Sequence, residues 1–151
     1  MTIDLFLKQL AEHCGLAAED VEVLLEEDEE AINVQLNLPE EESGLFIGYH
    51  GETLDSLQRL LRLTFQRDIQ KRIKLNINQY RLQREEKVRE MARNAAQRVK
   101  ETGNSYTFSH YLPSNERYVV HTTVSDEFPD LESTSSGDGR DRKLTIKQRE
   151  K

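Results

Sequence analysis

The sequence predicts an α+β protein of two small packed units, with elements in the order α-β-β-α-β and then α-β-α-β. Three observations carry that expectation. Short runs such as "AINVQLNL", "IKLNI" and "KLTIK" alternate apolar and polar residues, as half-buried strands do. Between them lie stretches whose apolar residues recur every three or four positions, the period of an amphipathic helix. A chain of 151 residues leaves each unit near the lower size limit for a core of its own.

Taken in order, Ile3, Phe6, Leu7, Leu10, Ala11 and Cys14 share one helical face, so residues 2–14 form a helix. "GLAAED" turns the chain, and Val21–Leu25 and Ala31–Leu38 read as strands. The like charges of Glu26–Glu30 between them belong in water, at a hairpin tip. Pro39 and three glutamates lead into a glycine-bearing loop. From Glu52, the residues Leu54, Leu57, Leu61 and Phe65 mark a helix of about four turns. Ile73–Ile77 is the third strand. A long helix follows from Tyr80 to Glu101, its stripe made by Val88, Met91, Ala92, Ala95, Ala96 and Val99, and Gly103 ends it. "SYTFSHYL" reads as a strand, Ser114–Ser125 as a helix opened by a Ser/Asn cap, "STSSGDG" as a turn and Lys143–Lys147 as the last strand.

Composition narrows the function. Hydrophobic residues at 36% suffice for a core, and charged residues at 32% require a solvated surface. No apolar run reaches the roughly 20 residues of a membrane helix, and no signal peptide opens the chain. With a single cysteine, Cys14, no internal disulfide forms. A cytoplasmic protein without a membrane role is expected. The net charge of −7 averages two unlike parts. Residues 1–43 hold thirteen acids and one base, whereas Arg59–Lys100 holds thirteen bases and four acids. The basic segment suits a polyanion partner, and a pair of ordinary solvated faces accounts for it equally well. His13 and Cys14 are adjacent and diverge on a helix, and His50, His110 and His121 have no ligand-like spacing. The expectation is therefore no enzyme, no metal, no cofactor and no small-molecule substrate.

Two stretches carry chemistry. In "FIGYHGETL", Gly48 and Gly51 flank Tyr49 and His50, and a helix starts at once. Glycines permit a tight turn and the close approach of a ligand, and a helix start offers unpaired N–H groups to a phosphate. No Gly-Lys-Ser/Thr follows, so this is not a nucleotide-binding P-loop. In "NERYVVH", Arg117 and His121 stand four apart, on one helical face. An arginine forks onto phosphate and a histidine stacks or hydrogen-bonds, yet a salt-bridged arginine and a structural histidine use the same spacing.

Ile47-Gly48-Tyr49-His50-Gly51-Glu52-Thr53-Leu54 resembles the I-G-x-x-G-x-x-L loop of KH domains, which clamps about four nucleotides of a single strand. Arg117 and His121 resemble the Arg-x-x-x-His (R-three-H) domain, a small single-stranded nucleic-acid-binding module. In this order, with "YRLQRE" opening the long helix and "TSSGDGRDRKLTI" near the end, the chain is similar to the bacterial Jag (KhpB) family over about residues 20–148. The matching positions are Gly48, Gly51, Tyr80, Arg81, Arg84, Gly103, Pro113, Glu116, Arg117, His121, Ser136, Gly137, Gly139, Arg142 and Ile146. Here "YLPS" stands for the usual L-x-P-M, and Tyr49-His50 for a frequently basic pair. The resemblance reads the chain as a member without the separate amino-terminal Jag domain. It implies a KH-like domain over 1–78 and an Arg-x-x-x-His domain over 79–151, including the long helix.

The expected function is single-stranded nucleic-acid binding, with RNA favoured over single-stranded DNA by the resemblance alone. An RNA-chaperone or post-transcriptional role would follow from it. The expected contacts are Ile47, Gly48, Tyr49, His50 and Gly51 in the loop, Arg81 and Arg84 on the long helix, and Arg117 and His121 beyond it. A small separate KH-domain protein is the partner that the resemblance implies. The alternative is a protein-interaction adapter whose KH fold no longer binds RNA, kept open by the Tyr-His loop and the acidic first third.

Overall fold

A computed structural model of the chain describes residues 1–150. It divides into two compact units, Met1–Arg81 and a second beginning at Leu82, against an expected boundary at 78/79. Among the described residues no helix is long and apolar enough to cross a membrane.

The first unit contains helix α1 (Ile3–His13), strands β1 (Glu22–Glu27) and β2 (Ala31–Asn37), helices α2 (Glu40–Ile47) and α3 (Glu52–Phe65), and strand β3 (Arg72–Ile77). The strands form one sheet in the order β1-β2-β3, the first pair antiparallel and the second parallel. Period-two alternation sends Val34 and Leu36 of β2 and Ile73, Leu75 and Ile77 of β3 inward. There they meet Leu7 and Ala11 of α1, Phe46 of α2, and Leu54, Leu57, Leu61 and Phe65 of α3 in one core. The Phe6 ring packs edge-on to Phe65 at 6.1 Å between centroids. The acidic tip is ordered by its own carboxylate: Asp28 Oδ1 accepts from the Glu30 and Ala31 amides at 2.8 and 2.7 Å. Those two bonds hold the Asp28 carboxyl below the ordinary carboxylate range.

The expected order lacked α2. Glu40–Ile47 is helical where a loop was expected, so the glycine loop joins two helices rather than following a strand. Three glutamates at its start suit the positive end of the helix dipole.

The second unit holds most of helix α4 (Tyr80–Thr102), strand β4 (Tyr106–Thr107), helix α5 (Ser114–Glu127), and strands β5 (Leu131–Ser136) and β6 (Lys143–Gln148). Its sheet has the order β4-β6-β5, antiparallel throughout. Val88, Ala92, Ala95, Ala96 and Val99 of α4 bury against Val120 and Val124 of α5 and Leu131, Leu144 and Ile146 of the sheet. Gly103 closes α4, its N–H donating to the Val99 carbonyl at 2.9 Å.

Three expectations need correction here. Only Tyr106 and Thr107 of "SYTFSHYL" are strand, because the chain leaves β6 after Phe108 to bury Leu112 in the core. Ser133–Ser136 form part of β5 and not of a turn, paired along β6 from Leu131↔Gln148 to Ser136↔Lys143. The N-cap of α5 is Pro113 without a side-chain cap bond, and Ser114 is the first helical residue.

Candidate nucleic-acid interface

The loop between α2 and α3 is held by backbone conformation. Gly48 ends α2 at φ 72° and ψ −177°, its N–H donating to the Gly44 carbonyl at 2.9 Å. A Cβ at Gly48 would overlap Thr53 Oγ1 and lie 2.8 Å from Thr53 Cβ, so no larger residue fits. Gly51, at φ 80° and ψ 13°, is the N-cap of α3. A Cβ there would stand 3.1 Å from the Tyr80 ring. With glycine at the cap, the N-cap residue has no side chain to bond the first N–H groups of α3.

Between the glycines, Tyr49 is 57% exposed and His50 sits in the left-handed region at φ 52°. The two rings meet edge to face at 4.1 Å. Ile47 is buried below them and fixes the end of α2 to the core. The loop therefore offers an aromatic face outward, on a rigid base, beside a helix start.

Arg81 is engaged within the first unit. Its Nη1 donates to the Leu75 carbonyl at 2.9 Å, and its Nη2 to Asp55 Oδ1 on α3 at 2.8 Å.

In the second unit the other expected residues gather on α5 and β5. Arg117 Nη1 donates to the Leu112 carbonyl at 2.7 Å, anchoring the guanidinium at the start of α5. His121 Nδ1 lies 2.6 Å from Ser133 Oγ. Arg142, not among the expected contacts, joins them: its Nε donates to Ser135 Oγ at 3.1 Å and its Nη1 to the Gly137 carbonyl at 2.9 Å. The result is two guanidinium groups about a half-buried imidazole. Each arginine has five N–H donors; Arg117 gives one to the protein and Arg142 three, which leaves donors on both for an anion.

Burial first, then the charges of Arg117 and Arg142, push the His121 pKa below the ordinary 6.5. The unfolded chain then binds a proton that the folded chain resists, so stability should fall as pH drops through and below about 6.5. Denaturant unfolding at about pH 7.5 and about pH 5.5 should show that loss in the wild type, and His121→Gln should reduce it. An equal loss in both would remove His121 as its cause.

Arg84 has a different place. Its Nε donates to Glu116 Oε1 at 2.7 Å and its Nη2 to Oε2 at 3.2 Å, a forked pair in which the Glu116 side chain is 4% exposed. Further along α4, Arg93 pairs with Glu127 and Arg89 with Glu85 and Glu86. Much of the basic excess of Arg59–Lys100 is thus matched locally by carboxylates, which the charge count could not reveal.

An αββααβ unit with a G-x-x-G loop, followed by an α-β-α-β-β unit with an R-x-x-x-H helix, defines a tandem KH and Arg-x-x-x-His protein. The KhpA/KhpB KH-domain family model matches residues 4–77, and the R-three-H domain model matches residues 86–148. The chain is 34% identical to "RNA-binding protein KhpB" of Clostridium symbiosum over 124 residues, 81% of this chain and 54% of that protein. It is 31% identical to the protein of that name from Bacillus subtilis (strain 168), over 75% of this chain and 55% of the relative. A Streptococcus pneumoniae relative of the same name is 30% identical over 84% of this chain and 39% of its own length. The chain belongs to this KhpB family of tandem KH and Arg-x-x-x-His proteins, and it spans about half the length or less of the relatives it matches. The first match takes in the glycine loop and the second takes in Arg117, His121 and Arg142, whereas Arg81 and Arg84 fall between them.

Proposed function

We propose that the chain binds single-stranded RNA in the cytoplasm as a binding protein without catalytic chemistry. The observation that carries this reading is the Gly48–Gly51 loop, with an exposed Tyr49 held beside a helix start whose N-cap is a glycine. A phosphate approaches the α3 amides across Gly48 and Gly51, Tyr49 stacks on a base, and His50 donates a hydrogen bond. Arg117, His121 and Arg142 make a second phosphate contact in the other unit. Arg84 serves this contact indirectly, by fixing Glu116 and with it the helical turn that bears Arg117. Arg81 contributes through its place beside α3. The relatives' printed names supply the RNA part of the reading. A separate small KH-domain protein is the partner that the family resemblance implies.

Fluorescence anisotropy of labelled single-stranded RNA, single-stranded DNA and duplex RNA over a salt series tests this. Affinity for single strands should fall with salt by roughly −0.7 in log-log slope per neutralised phosphate. Because many cations of α4 are already paired, the slope should reflect a few phosphates and not the thirteen basic residues of Arg59–Lys100. No salt-sensitive binding to any of the three would leave the protein-adapter reading in its place.

A further inference from the structure

The first unit's sheet turns one face away from its helices, and that face is built for hydrogen bonding. β2 presents Asn33 and Gln35 there, paired in register with Lys74 and Asn76 of β3. These four residues line a concavity of about 500 Å³ that Arg81 also borders. That volume lies within the roughly 300–1,000 Å³ of small-ligand pockets.

Several of its amides already have partners. Gln35 Nε2 donates to Asn37 Oδ1 at 2.8 Å, and Asn37 Nδ2 donates to Glu22 Oε2 at 2.7 Å. Asn76 differs: its Oδ1 is buried with no hydrogen-bond partner among the described residues. An acceptor removed from water and left unpaired is a stability cost, and its retention calls for a use. Oδ1 makes no bond, so rotation about the terminal torsion brings it from its buried position to the cavity without losing one.

Charge across the cavity is divided. Glu26 lies on the β1 side, and Lys74 and Arg81 lie on the β3 side. A nucleotide would therefore set its phosphate toward β3 and its base toward the amides. Arg81 links the rim of this cavity to the helix that follows the loop, since it bonds Asp55 in the first turn of α3, and its neighbour Tyr80 lies against Gly51.

We propose that this cavity receives a base of the strand held at the glycine loop and reads the adenine edge through Asn76. An asparagine amide matches adenine with both its groups, Oδ1 accepting from N6–H and Nδ2 donating to N7. The inference rests on the single-stranded RNA reading of the loop, and it adds a base-specific site on the opposite sheet face.

The test is anisotropy of the full chain with labelled oligo(A) and oligo(U), wild type against Asn76→Ala. Because the variant removes a buried acceptor that makes no bond, it should melt no lower than the wild type does. Its oligo(A) affinity should fall roughly five- to tenfold, within the range a bidentate base contact supplies, with oligo(U) unchanged. Equal affinities in variant and wild type, or an equal fall for both strands, would overturn the base-reading site while leaving the loop reading intact. Failure of the wild type to bind either strand would overturn both. If Asn76→Ala does not fold, Asn76→Leu, which keeps the bulk but has neither amide group nor charge, should show the same selective loss.

Discussion

Replacing Tyr49 and His50 together by aspartate is expected to reduce single-stranded RNA binding roughly 10- to 100-fold while leaving the melting temperature close to that of the wild type. Stacking of one base on an aromatic side chain is worth about 1–3 kcal/mol, and the double variant removes it. It also sets two negative charges where the strand's phosphates pass. Folding should survive, because Tyr49 is 57% exposed and neither side chain belongs to the core. Position 50 tolerates aspartate at φ 52°, since Asp is among the residues that enter the left-handed region most readily. Anisotropy and a thermal melt on the same preparation check both halves. Undiminished binding by a folded variant would sink the loop's role.

Glu116→Ala should be strongly destabilising although Glu116 lies outside the apolar cores. It leaves the Arg84 guanidinium, 20% exposed, without the carboxylate that now meets it with two hydrogen bonds. Removing one partner of a buried pair costs about 3 kcal/mol, because the surviving charge stays out of water. Replacing both members, Arg84→Met with Glu116→Leu, should cost less than Glu116→Ala alone, since no stranded charge remains. Urea unfolding of the single and double variants decides this. A single variant as stable as the wild type would reduce the pair to a surface contact.

The sequence made the strongly periodic elements legible. The stripe of α4 from Val88 to Val99 and the core positions of α3 from Leu54 to Phe65 lie where their spacing placed them. Weak periodicity explains the omissions. α2 reads "EEESGLFI", three like charges and a glycine before any apolar residue, and its helicity depends on burying Phe46 and Ile47. β5 reads "LESTSS" and resembles a turn because its inward positions carry Ser133 and Ser135 where apolar side chains are usual. Those hydroxyls meet His121 and Arg142, so the strand breaks the alternating pattern at the candidate site itself. Arg142 was marked by the family resemblance but not as a contact, because its "DGRDRK" context shows only another basic residue. The glycine loop was visible because its demands are conformational, and glycine is their signature. The engagement of Arg84 with Glu116 was not visible, since residues 32 apart give no periodic signal.

The loop's geometry also limits how this protein can change. Position 48 has no room for a Cβ, and position 51 would press a Cβ on Tyr80, so neither glycine is open to substitution. Position 50 is confined to the few residue types comfortable at a positive φ. Only position 49, with an exposed side chain, is left as a place where drift is cheap. A library randomised across all four positions should accordingly return functional clones most diverse at position 49, restricted at position 50 and nearly uniform at positions 48 and 51.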